Sequence, residues 1–182
     1  DFRSVWNRYY GKRHAVNMGV SGDTTGNVLW RIEHGELDGI SPKLLVLLIG
    51  TNNTGRTRFW PARETTAGIR LIVEEIHRRL PTAKILLLAI LPKESTPEKL
   101  AADAEVNHNL QTMYANNEFV TFLDVGHVFM KEGKLDRSLF LDPEATPPKP
   151  ALHPSAIGQE RMAAAMEPVI ANLLGETQPS NH

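Results

Sequence analysis

The sequence predicts a doubly wound α/β/α sandwich on a parallel sheet, and three features point to it. Short apolar runs alternate with amphipathic stretches of helical spacing. Two of those runs, Leu44 to Ile49 and Ile85 to Leu91, are almost unbroken leucine, isoleucine and valine. That composition suits strands covered on both faces. The 182 residues, 41% hydrophobic and 23% charged, suffice for one compact domain with a substantial core.

Each element has its own signal. Ala15 to Val20 is the first apolar run and predicts a strand. A short helix is expected after Asp23, running through Val28, Leu29, Trp30 and Ile32, before the Leu44 to Ile49 strand. Arg63 to Leu80 places Ile69, Ile72, Val73, Ile76 and Leu80 on one helical face, with Arg70, Glu74, Glu75 and Arg78 outside. After the Ile85 to Leu91 strand, Pro97 to Asn116 opens on a first-turn proline and carries Leu100, Ala104, Asn107 and Leu110. Phe119 to Leu123 is the last apolar run. Lys131 to Leu152, with Pro143, Pro147, Pro148 and Pro150, reads as a long irregular loop, a kind of connection that often carries function. Ser155 caps a final helix that runs to Leu174 and stops before Gly175. With neither repeat nor linker, residues 1–175 are expected to form one domain and residues 176–182 a flexible tail.

Composition narrows the chemistry. A formal charge of -1 gives no basis for binding a polyanion such as nucleic acid. The chain has no cysteine, which removes disulfides, thiolate metal sites and thiol nucleophiles. No apolar run approaches the roughly 20 residues of a membrane-spanning helix. The stretch Asp1 to Trp6 has neither an initiator methionine nor a signal-peptide profile.

In open α/β sheets ligands bind beyond the carboxyl ends of the strands, and three segments are expected there. They are Gly19 to Thr25, Gly50 to Gly55, and Leu152 to Gly158. The backbone N–H of Gly22 and the carboxamide of Asn52 are neutral donors suited to the oxyanion of an acyl-transfer intermediate. His153 can supply a general base. Taken singly, a glycine or asparagine after a strand is an ordinary turn former, and a histidine before proline an ordinary loop residue. Their joint position at one sheet edge is what gives them weight.

Gly19 to Leu37, followed by SPKLLVLLIGTNN, resembles the second and third conserved blocks of the SGNH (GDSL-type) hydrolases. Within that family the resemblance is to the branch of the platelet-activating-factor acetylhydrolase catalytic subunits. LHPSAIGQERMA is similar to the block around the family's catalytic histidine. The resemblance covers nearly the whole chain. It implies a flavodoxin-like sandwich and hydrolysis of short-chain carboxylic esters, acetyl esters above all, through an acyl-enzyme, with no metal or cofactor. The substrate class implied is a small ester, such as an acetylated sugar or lipid. Carried over by position, Gly22 and Asn52 are oxyanion donors and His153 is the general base.

Two departures from the family pattern stand out. No Gly-Asp-Ser occurs in the chain, so the nucleophilic serine and the first strand of the sheet are expected upstream of Asp1. The position three residues before the histidine, usually an aspartate that orients the imidazole, is Pro150. A backbone carbonyl, a water, or Asp142 from the long loop are the alternatives for that role.

Several residues invite other assignments. Asp124 and His127 share the Asp-x-x-His spacing but lack a following helix start and read as surface residues. Ser21 has no Gly-x-Ser-x-Gly elbow. His14, His34, His77 and His108 lack metal-ligand spacing and are expected on the surface. Gly50 to Thr57 approaches the phosphate-binding loop of P-loop nucleotide hydrolases, but Arg56 stands for its lysine and Phe59-Trp60-Pro61 interrupts the helix. A non-catalytic carbohydrate- or ester-binding module on a decayed hydrolase scaffold is the remaining alternative, favoured by the missing serine and by Pro150.

Overall fold

The parallel sheet forms where the leucine-rich runs predict it. In the computed structural model, which describes residues 1–54, 61–141 and 149–176, strands β1 (Leu44–Leu47), β2 (Lys84–Leu88) and β3 (Val120–Leu123) pair in that order, all parallel. Parallel neighbours need a crossover, and helices α3 (Pro61–Arg79) and α4 (Pro97–Met113) supply it. Helix α2 (Thr25–Glu33) precedes β1 and packs against α3. The β2 side chains Ile85, Leu86 and Leu87 are wholly buried, as the unbroken apolar run requires. On α3, Ile69, Ile72, Val73 and Ile76 are equally buried, each worth roughly 1.5–3 kcal/mol of transfer free energy.

These elements belong to one of two compact units, residues 19–90 with 96–124. The other comprises residues 1–18, 91–95 and 125–182. Its long helix α5 (Ala156–Leu174) is capped by Ser155 and ends at Gly175 in the left-handed conformation, as expected. Helix α1 (Phe2–Tyr9), an element without a predicted counterpart, packs on α5. Arg13 fastens the two, donating to Glu167 at 2.6 and 2.7 Å, to Glu176, and to the carbonyl of Tyr9 at 2.9 Å. A cluster of Phe129, Leu139, Phe140 and Ala151 forms a separate core in this unit.

Four expectations need correction. Ala15 to Val20 forms no ladder, and Val16 is 78% exposed. An extended apolar run becomes a strand only when a neighbour pairs with it. The buried face of α4 is Ala102, Asp103, Val106 and Leu110, while Leu100 and Ala104 are exposed. The expected Asn107 and Leu110 keep their place, the Asn107 carboxamide accepting from Ile90 N–H at 2.8 Å and donating to Ile90 O at 3.0 Å, while the polar Asp103 takes an inner position in place of Leu100 and Ala104. Part of the expected irregular loop is ordered as the hairpin β4 (Met130–Lys131) and β5 (Lys134–Leu135). His77 is half-buried, its ring stacked on Phe119 at 3.8 Å, because it continues the apolar face of α3.

Helices α2 and α3 approach most tightly at Gly68. A Cβ there would lie 2.4 Å from Thr25 Oγ1 and 2.7 Å from Thr25 Cβ, so both helices would have to separate. Gly68→Ala is expected to destabilise the protein by about 1–3 kcal/mol despite alanine's higher helix propensity. Denaturant unfolding measures this, and a stabilised variant would show that the contact yields freely.

Candidate active site

The turn that presents Gly22 is closed by the Asp23 N–H donating to Val20 O at 3.3 Å. Gly22 is its third residue with φ +83°, a conformation that glycine adopts at little cost. Helix α2 starts at once afterwards, its first turn closed by a reciprocal capping box between Thr24 and Asn27. Arg31, one turn from the end of α2, reaches back to the Asp23 carboxylate and also donates to Glu36 at 2.8 Å. Those two carboxylates, Asp23 first, hold the guanidinium pKa above its ordinary value.

The loop after β1 grips this turn with two consecutive side chains. Asn52 Nδ2 donates to the carbonyl of Asp23, the residue after Gly22, at 2.9 Å. Asn53 Oδ1 accepts from the Thr25 N–H at 2.9 Å while its Nδ2 donates to Thr25 Oγ1 at 2.8 Å. Thr25 itself is buried. The structure therefore holds the Asn52 side chain against the residue that follows Gly22. A carboxamide nitrogen carries two hydrogens, so Asn52 keeps one beyond the bond to Asp23. Neutral donors fixed this way change little in orientation as charge develops, which is what oxyanion stabilisation needs.

His153 belongs to the other unit and is exposed. Its main chain is held on both sides. The His153 carbonyl accepts from Leu141 N–H at 2.7 Å, and Pro154 bridges Phe140 in antiparallel fashion. Ser155 N–H donates to Leu139 O at 2.8 Å just before α5 begins. Upstream, Glu94 meets Ala151 twice: its N–H donates to Ala151 O at 2.8 Å, and its carboxylate accepts from Ala151 N–H at 2.9 Å. Arg137 pairs with the same carboxylate and donates to Lys149 O at 3.0 Å. The Ala151 N–H and then Arg137 hold the Glu94 carboxyl below the usual carboxylate range.

The other candidates are placed as follows. Ser21 is exposed in the Gly22 turn. Asp124 is exposed just after β3, and His127 is exposed in a short 3₁₀ turn, Gly126–Phe129. His14, His34 and His108 are exposed as expected, His34 stacking on Trp30 at 4.1 Å. Asp142, Gly55, Arg56, Thr57, Phe59 and Trp60 lie outside the described residues. Sequence reasoning missed Asn53, Thr25, Glu94 and Arg137. Two adjacent asparagines after an apolar strand were the available signal for Asn53; Glu94 and Arg137 are 43 residues apart and gave none.

A family model for GDSL-like lipases and acylhydrolases matches residues 1–161. The chain belongs to that family. The human platelet-activating factor acetylhydrolase IB subunit alpha1 is 32% identical over 176 residues, spanning 96% of this chain and 71% of that protein. The chicken alpha2 subunit is 40% identical over 127 residues, 69% of this chain and 54% of that one. The crystal structure of a GDSL-like lipase from Bacteroides thetaiotaomicron shares the fold, with TM-score 0.75 and 19% identity over 94% of this chain and 82% of that one. Membership of this family leaves the nucleotide-hydrolase reading of Gly50 to Thr57 without support.

Replacing Asn53 by alanine strands the buried Thr25 N–H and removes both bonds to the head of α2. Asn53→Ala is expected to cost about 1–3 kcal/mol of stability. Asn53→Asp, which still accepts from Thr25 N–H and can accept from its hydroxyl, should cost less. Equal losses in thermal or denaturant unfolding would show that the carboxamide's pairing with Thr25 is immaterial.

Proposed function

We propose that this chain forms the greater part of a serine carboxylic ester hydrolase that removes a short acyl group, acetate above all, from a small ester. The observation that carries the reading is the Asn52–Asp23 bond, which holds the Asn52 carboxamide against the turn that contains Gly22. Family membership and the acetylhydrolase relatives support the same chemistry.

The nucleophile is a serine from outside these 182 residues, since the sequence holds no Gly-Asp-Ser. The open edge of β1 supports that reading. Val46 and Leu48, in a run whose composition suits burial on both faces, are 47% and 40% exposed. Residues 1–175 act as one catalytic domain. The serine Oγ attacks the ester carbonyl carbon while His153 accepts its proton. The Gly22 N–H, the Asn52 amide and the serine N–H hold the resulting oxyanion. Collapse of the tetrahedral intermediate breaks the carbon–oxygen bond, and His153 returns the proton to the leaving alcohol. Water then attacks the acyl-enzyme by the same cycle, releasing the acid. No metal enters the scheme.

Pro150 and the missing motif favour a second reading, a non-catalytic ester- or carbohydrate-binding module. Fluorophosphonate labelling with intact-mass analysis separates the two. One adduct on a serine beyond this sequence is expected; the absence of any adduct or hydrolysis would favour the binding module. In unlabelled protein that carries this serine, Asn52→Ala should lower kcat by about 10²–10³, equivalent to roughly 3–4 kcal/mol. An unchanged kcat would remove Asn52 from the oxyanion site.

Hydrolysis is expected to survive chelators. Loss of activity in EDTA, restored by added metal, would overturn the metal-free scheme.

A further inference from the structure

Pro150 leaves the candidate base without the side-chain acid that ordinarily orients such a histidine, yet the segment around it is unusually well tied. We infer that Glu94 and Arg137 are positioning residues, a clamp on residues 149–151 that fixes where the following His153 is presented. The inference rests on the reading of His153 as general base.

The clamp closes a ring of interactions. Glu94 engages both polar backbone groups of Ala151, donating from its N–H at 2.8 Å and accepting at its carboxylate at 2.9 Å. Arg137 binds that carboxylate with Nη1 and, through Nη2, donates to Lys149 O at 3.0 Å. One planar guanidinium thus joins the Glu94 carboxylate, which holds Ala151, to the carbonyl of Lys149 on the other side of Pro150, a fork that lysine could not reproduce. Ala151 is buried against Phe129, Leu139 and Phe140, so the clamped segment is also anchored in that core. Downstream, the His153 carbonyl is fixed by Leu141 N–H. Between two anchored points only Leu152 intervenes, and both Leu152 and His153 project outward as exposed residues. Proline restricts φ at position 150 and restrains the preceding residue, so the substitution that removes the usual acid also stiffens the clamped segment. Orientation here comes from the backbone on either side of the histidine.

The test compares Glu94→Ala, Glu94→Gln, Arg137→Ala and His153→Ala, all in protein that carries the proposed nucleophilic serine, by NMR of ¹⁵N-labelled protein and by hydrolysis of p-nitrophenyl acetate. In Glu94→Ala and Arg137→Ala the Ala151 amide should exchange at least about tenfold faster. The His153 ring resonances should shift. Glu94→Gln, which still accepts from Ala151 N–H, should recover most of both signals. Turnover should follow, with kcat falling about 10- to 100-fold and KM within about twofold. Faster Ala151 exchange with unchanged His153 ring signals would reduce the clamp to a structural tie and overturn the inference. So would wild-type exchange in both alanine variants. If His153→Ala instead leaves hydrolysis unchanged, the assignment of the base fails on its own, while the NMR readouts still decide whether the clamp sets the ring.

Discussion

Because β1, β2 and β3 run parallel, each strand must be left at its carboxyl end and the next re-entered from the opposite edge through a helix. That topology delivers the loops after the strands to one edge of the sheet, which is where α/β proteins bind. The side chains that hold this edge in shape are carboxamides acting on backbone. Asn107 closes the end of β2 on Ile90, and Asn52 and Asn53 close the loop after β1 on the turn at Gly22. A carboxamide both donates and accepts while staying neutral, so it can satisfy a strand end or a helix start without introducing charge. That property also suits a site meant to receive a negative oxygen, where a nearby fixed carboxylate would oppose the reaction and a fixed cation would add a desolvation cost.

The elements legible in the sequence are those whose signals are local. Thr96 with Pro97, Ser155, and Gly175 mark helix ends to within a residue, because a cap is a bond between neighbours in the chain. The doubly covered strand β2 was visible for a similar reason, since burial on both faces leaves no polar alternation to obscure the run. Helix α1 escaped notice because it is eight residues long and buries only Val5. The β4–β5 hairpin escaped because Glu132 takes a positive φ beside Gly133, and glutamate does not advertise that conformation. The phase of α4 was misread because a charged residue, Asp103, is buried on its inner face while Leu100 is exposed.

The same division holds within the candidate site. Gly22, Asn52 and His153 could be named from sequence because each sits in a compact run of turn-forming or cap residues. Glu94 and Arg137 could not, because their relation to Ala151 and Lys149 exists only once the chain is folded. Likewise Ala15 to Val20 carries the composition of a strand but forms no ladder, since pairing depends on a neighbour that composition does not specify.

An aspartate three residues before a catalytic histidine holds the ring and stabilises its charged form in one interaction. With Pro150 there, those two tasks separate. The backbone anchors at Ala151 and Leu141 can fix the position of His153 without contributing charge. Glu94, the acid that helps make the upper anchor, has its carboxylate occupied by Ala151 N–H and Arg137, so its charge is answered locally. For His153 as the proposed base, these anchors supply orientation. In the proposed mechanism the oxyanion donors, assigned to Gly22 and Asn52, would then carry most of the transition-state stabilisation.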